Sequence, residues 1–196
     1  DEPQEEDSAS IFEHDTDEGQ RTTLAAGSGE WDLIPEYDWP LPEDGRGIVF
    51  DSEALTEDTV MVGHGSVDLW VQSSADDADI EVTISELRPD GQEMYVQSGW
   101  QRASLRALSG EATELRPVKT FLESDAEPLP DGEWSLVRVE LMAFGHVFRE
   151  GSQIRLIIDT PGASRTGWRF ALQELPSGTT HTIAHSAMNP SSIVLP

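Results

Sequence analysis

The chain has 196 residues, no cysteine, 38 acidic and 12 basic side chains, and a formal net charge of −26. That charge repels phosphate backbones and anionic lipid, which excludes nucleic acid and membrane surfaces as partners, and no apolar run approaches the ~20 residues of a membrane helix. Without thiols there is no disulfide scaffold, zinc–thiolate site or cysteine nucleophile, and a cytoplasmic location fits.

The acidity is uneven. Residues 1–58 hold 19 of the acidic side chains against only Arg21 and Arg46. A run of this kind reads as a solvated connector; a salt-adapted setting is also compatible, because screening relieves self-repulsion. The opening Asp1-Glu2-Pro3-Gln4-Glu5-Glu6-Asp7 is the opposite of a basic leader, and with no initiator Met the chain reads as a piece of a longer protein. Within residues 1–30 the apolar island is Ile11-Phe12. Residues 31–42 then mix aromatics with Pro35, Pro40 and Pro42, which favours extended backbone that lies on a surface. Residues 1–46 are therefore assigned to an acidic arm and connector, and 47–196 to the folded domain. Trp31, Leu33, Ile34, Tyr37 and Trp39 form an apolar patch in the least foldable part of the chain. Such patches mark interaction surfaces, which makes these residues interface candidates. The competing expectation is that they fold back onto the domain's own sheet.

From Gly47 the period of the pattern is two. Val67, Leu69 and Val71 alternate with polar or aromatic neighbours, and so do Ile80, Val82 and Ile84, then Val137, Val139 and Leu141. Ile154, Leu156 and Ile158 alternate with Arg155 and Ile157. Half-buried strands produce this alternation. Further strands are predicted at 47–51, 93–98, 100–106, 168–174, 180–186 and 192–195. Pro89-Asp90-Gly91, Pro130-Asp131-Gly132 and Arg149-Glu150-Gly151 supply turns. About ten strands without a helical period imply an all-β fold of two packed sheets, a β-sandwich or jelly roll, whose core holds the three β-branched or leucine-rich triplets from residue 80 onward. Residues 107–133 are the main irregular excursion.

Candidate chemistry is sparse. The nearest approach to a nucleophile elbow is Gly63-His64-Gly65-Ser66, but Ser66 starts an alternating strand and no helix follows. His181 and His185 would share a helix face, yet Thr182-Ile183 argues for a strand, where four residues span about 13 Å. Asp76-Asp77-Ala78-Asp79 and Asp15-Thr16-Asp17-Glu18-Gly19 are rich in oxygen ligands without the spacing of a calcium loop. A solvated loop is the default reading of the first, with calcium as its alternative. No catalytic residue, metal site or cofactor is assigned. Trp70, Trp100, Trp134 and Trp168 fall in or beside strands and read as core or interface packing, with sugar stacking as the alternative.

Several strings together resemble a known family. They are residues 55–63 (LTEDTVMVG) with 67–79 (VDLWVQSSADDAD), then Leu87-Arg88-Pro89-Asp90-Gly91 and Gly99-Trp100-Gln101-Arg102-Ala103-Ser104. Residues 146–156 (HVFREGSQIRL) and the closing Pro190-Ser191-Ser192-Ile193-Val194-Leu195-Pro196 complete the set. They resemble the C-terminal, non-catalytic domain of the X-prolyl dipeptidyl-peptidase and cocaine-esterase (CocE/NonD) family of α/β serine hydrolases. Ser152 stands where that family often has histidine, and Thr160-Pro161-Gly162-Ala163 departs from its pattern, which marks a divergent branch. The resemblance implies a galactose-binding-like jelly roll packed on a catalytic α/β-hydrolase domain of the same protein and helping to wall its cleft. None of the catalytic triad maps onto this chain. A carbohydrate-binding module is the second reading by fold analogy, and a free-standing esterase the third.

Overall fold

The computed structural model of the chain describes residues 8–17, 24–29, 31–33, 36, 38, 40–162 and 171–196. Among them the chain forms β1 (Ala9–Glu13), β2 (Gly47–Asp51), β3 (Thr59–Ser73), β4 (Asp79–Leu87), β5 (Glu93–Arg102), β6 (Ser135–Phe148), β7 (Gln153–Asp159), β8 (Thr180–Ala184) and β9 (Ser192–Val194). One sheet runs β1-β8-β3-β6, with β9 also on β3; the other runs β2-β7-β4-β5. Every pairing is antiparallel. This strand order, with most connections crossing from one sheet to the other, is that of a jelly roll, as the alternation predicts.

Between the sheets, Val67, Leu69 and Val71 of β3 and Val137, Val139 and Leu141 of β6 meet Ile80, Val82 and Ile84 of β4 and Ile158 of β7, all fully buried. Two members of the expected core differ. Leu156 is partly buried against the cluster, and Ile154 is half-buried where its strand pairs with Glu86 at the sheet's end. Ile157, expected on the outer face, is buried as well. It is buried because the outer face of the four-stranded sheet is itself covered: Asp79, Glu81, Thr83 and Ser85 are all buried there. Their polar groups are met sideways. Thr83 Oγ1 bonds Ser98 Oγ at 2.8 Å, Ser85 Oγ donates to Glu93 Oε1 at 2.6 Å, and Arg155 spans Asp51 and Glu93. Buried hydroxyls and charges persist only when paired in this way.

Three element boundaries depart from expectation. β1 lies inside the segment assigned to the acidic arm. It pairs with β8 over five residues and sends Phe12 into the core. The strand expected over 100–106 ends at Arg102, because Ala103 N turns to Ala78 O and Ala103–Leu105 form a 3₁₀ turn. No strand occupies Ala171–Glu174, and the rest of the strand expected over 168–174, Trp168–Phe170, lies outside the described residues. Instead the Ala171 carbonyl accepts from Arg102 Nη2, and Gln173 N donates to Asp79 Oδ2.

Where β5 crosses β6, the sheets touch. A Cβ on Gly99 would lie 1.9 Å from the Glu140 carbonyl oxygen, so only glycine fits. Gly91 and Gly132 take φ of 84° and 69°, as their turn triplets require. The 107–133 excursion lies over the polar half of the five-stranded sheet. Ser66 Oγ donates to Glu114 O at 2.7 Å, and Lys119 Nζ donates to Pro117 O and Arg138 O. Burial pushes the Lys119 ammonium down to about 8; Glu140 opposes this, Arg138 adds to it, and Asp68 opposes it.

Candidate functional site

Trp31 and Leu33, the described members of the predicted interface patch, stand 85% and 99% exposed. Local geometry lifts them outward. Asp32 turns back on its own loop, its Oδ2 accepting from Gly29 N at 2.7 Å and from Ser28 Oγ at 3.3 Å. Ala25 N donates to Glu36 O, while Glu36 N donates to Ser28 Oγ, closing the knot. With the turn closed in this way Trp31 and Leu33 point to solvent, and neither rests on the sandwich. Ile34, Tyr37 and Trp39 lie outside the described residues.

The other predicted sites fall on structural bonds. Ser66 is buried, and its hydroxyl is spent on the Glu114 carbonyl. His64, one residue into a β-bulge, sits with Nδ1 2.9 Å from Glu140 Oε1 instead of facing Ser66. Asp77 Oδ1 accepts from Ala78 N and Ser104 N, and its Oδ2 from Gln173 Nε2. Asp79 receives a two-pronged bond from Arg102, at 2.7 and 2.9 Å, and a third from Gln173 N. With every oxygen engaged by an N–H, these two carboxylates are not the solvated loop expected of 76–79. They hold the 103–105 turn and the 171–173 segment against β4. Three N–H donors on each carboxylate compete with calcium for its lone pairs. Among the described residues, no three His, Asp or Glu side chains converge as metal ligands.

His181 lies in β8, an inner strand of its sheet, and His185 one residue past its end, and they face different partners. His185 meets Ser8 Oγ through Nδ1 at 2.7 Å and Ser10 Oγ through Nε2 at 3.1 Å. His181, fully buried, meets Ser73 Oγ through Nδ1 and His14 Nδ1 through Nε2 at 3.2 Å. Two imidazoles at this distance cannot both be charged. Burial, and then His14, push His181 down to about 3 against the pull of Asp77. Burial also lowers His14, against Asp79 and Asp15. The pair escapes sequence reading because 167 residues separate its members.

A second polar cluster ties the sheets together at the opposite end of β4. Glu86 is fully buried on the inner face. Its Oε1 accepts from Arg149 N and Ser152 Oγ, and its Oε2 lies 3.0 Å from His146 Nε2 and 3.3 Å from Arg88 Nε. Burial pushes this carboxyl up, but the Arg149 amide, Ser152, His146 and Arg88 outweigh it and leave it below the usual range. Ser152, the departure from the family pattern, is thus a donor in this cluster.

Trp70 and Trp100 lie on opposite outer faces of the sandwich, one registered with Ala184 and Leu136, the other with Glu81. They offer no shared stacking platform.

Comparison with known proteins gives these observations a setting. The profile of the X-Pro dipeptidyl-peptidase C-terminal non-catalytic domain matches residues 3–194. A Mycobacterium tuberculosis (strain CDC 1551 / Oshkosh) protein named as a serine esterase is 30% identical over 158 residues, 79% of this chain and 24% of that protein. The cocaine esterase of Rhodococcus sp. (strain MB1 Bresler) is 27% identical over 165 residues, 80% of this chain and 26% of that protein. The crystal structure of a CocE/NonD family hydrolase from Staphylococcus aureus superposes with a TM-score of 0.68 at 21% identity, over 98% of this chain and 33% of that one. The chain therefore spans about a quarter of the length of the curated relatives it matches.

Proposed function

The chain belongs to the family of X-Pro dipeptidyl-peptidase C-terminal non-catalytic domains, and from that premise we propose that it is the support domain of a serine hydrolase acting on acyl esters or X-prolyl peptides. In this reading it packs on the catalytic α/β-hydrolase domain of the same protein and helps wall the active-site cleft. The observation that carries the reading is the pair Trp31 and Leu33, held in solvent on a turn that Asp32 closes through Gly29 and Ser28. Large apolar side chains held out from a strongly acidic chain are anchors in search of a pocket, and aromatic anchors dominate interface energetics. The carboxylate clusters fit a support role too, since their bonds are spent on holding the sandwich together.

The test is a Trp31→Ala, Leu33→Ser double variant of the full-length protein. Its kcat/KM would be measured on p-nitrophenyl esters and on X-Pro anilides, beside its thermal midpoint. Docking predicts a loss in both, and whichever substrate the parent accepts identifies its class. Unchanged kinetics together with an unchanged midpoint would overturn the reading.

A further inference from the structure

The outer face of the five-stranded sheet is divided in two. Over Ser66, Asp68, Arg138 and Glu140 it is polar and lies beneath the 107–133 excursion. Beyond that cover, the register sets Ala9 beside Ala184, Ala184 beside Trp70, and Trp70 beside Leu136. Cross-strand partners share a face, so one unbroken apolar row crosses β1, β8, β3 and β6. Ile11, next but one to Ala9 and 59% exposed, widens it. Leu136 closes the far end at 36% exposure, while Trp70 is half-covered and the small Ala184 lies beneath its neighbours. A sheet face in contact with water ordinarily carries polar side chains at these positions. In a chain of net charge −26, four strands in register on an apolar row make a surface that calls for a cover.

We infer that this row is the seat on which the rest of the same polypeptide packs, an inference that rests on the support-domain reading. Three observations select that occupant. The matched part of the chain covers about a quarter of its relatives, so most of such a polypeptide lies outside it. A tethered partner is held at high effective concentration, so a patch of modest area suffices. Ala9 and Ile11 stand on β1, the first strand, through which the preceding chain of a C-terminal domain arrives. A second copy fits worse, because it would bring a second chain of net charge −26 against the first. A sugar fits worse as well: Trp70 is the row's only ring, and its neighbours are aliphatic.

Hydroxyl-radical footprinting of the full-length protein, read by mass spectrometry, tests this directly. With each rate corrected for the side chain's intrinsic reactivity and its exposure in this domain, Ile11 and Leu136 are expected to label roughly tenfold more slowly than Phe121 and Leu122, a factor equivalent to about 1.4 kcal/mol of docking free energy. The last two are 69% and 57% exposed and belong to neither proposed surface. If the corrected rates of Ile11 and Leu136 equal those of Phe121 and Leu122, the inference falls. Protection of Trp31 and Leu33 in the same maps would then leave the support-domain reading standing, whereas free labelling of all four would remove both. Protection that fades on dilution would assign the face to a second copy and also overturn the inference.

Discussion

At the residue scale, buried polar groups set how this domain answers acid. Glu86 is one such lock. Replacing it with Gln keeps its shape but leaves donors from Arg149, Ser152 and Arg88 facing a neutral amide. A broken buried charge network costs about 3–5 kcal/mol, so a Glu86→Gln variant is expected to unfold at markedly lower urea concentration. A midpoint like that of the wild type would show that the cluster contributes little. His181 and His14 act in a different pH window. Their folded pKa values lie below the unfolded value near 6.5, so the unfolded chain takes up protons first as pH falls. Stability is whole above about pH 6.5 and erodes below it, with His181 losing up to about 1.4 kcal/mol per unit until pH nears 3. The depressed Glu86 carboxyl adds its own loss only lower, beneath its ordinary range near pH 4.5. Urea midpoints measured from pH 8 down to about pH 3 check the order, and a His181→Asn variant is expected to flatten the upper part of the slope.

At the element scale, the crossing of β5 over β6 is the tightest point. Gly99→Ala drives a methyl group into the Glu140 carbonyl, and overpacking of this kind costs about 1–3 kcal/mol or more. Gly110→Ala, which meets nothing within 4 Å, is expected to stay within about 0.5 kcal/mol of wild type. Equal urea midpoints for the two variants would mean that the strands separate at no cost. The strands with clean alternation were legible from sequence, because period two sorts side chains by face wherever one face is wet. β7 is where that logic weakens: both Ile157 and Ile158 are buried, since a covered outer face removes the polar alternates. Leu156→Ala is accordingly expected to cost near the lower end of the usual 2–5 kcal/mol. β1 was illegible because five residues with two large apolar side chains, set in an acidic run, carry no period. Its strand character comes from β8. Asp77 and Asp79 misled for a related reason: their donors come from segments that fold beside them and are remote in sequence.

For the whole molecule, charge is the governing quantity. Self-repulsion at −26 weakens the compact state, and salt screens it over about 8–10 Å at physiological strength. Raising sodium chloride from 0.05 to about 1 M, where screening shortens to roughly 3 Å, is expected to raise the thermal midpoint. A midpoint indifferent to salt would show that the acidic groups lie too far apart to matter. The isolated chain is expected to hydrolyse neither p-nitrophenyl esters nor X-Pro anilides above background, since Ser66 is buried and bonded to a carbonyl. Turnover that survives repurification and vanishes on changing one serine would contradict this. Ser8 bonds a histidine 177 positions later, so the first strand has no partner until nearly all of the domain has left the ribosome. At about 5–20 residues per second that wait lasts on the order of ten to thirty seconds. Throughout it Phe12 and the edge of β1 remain bare, and the domain's most vulnerable moment comes during its synthesis.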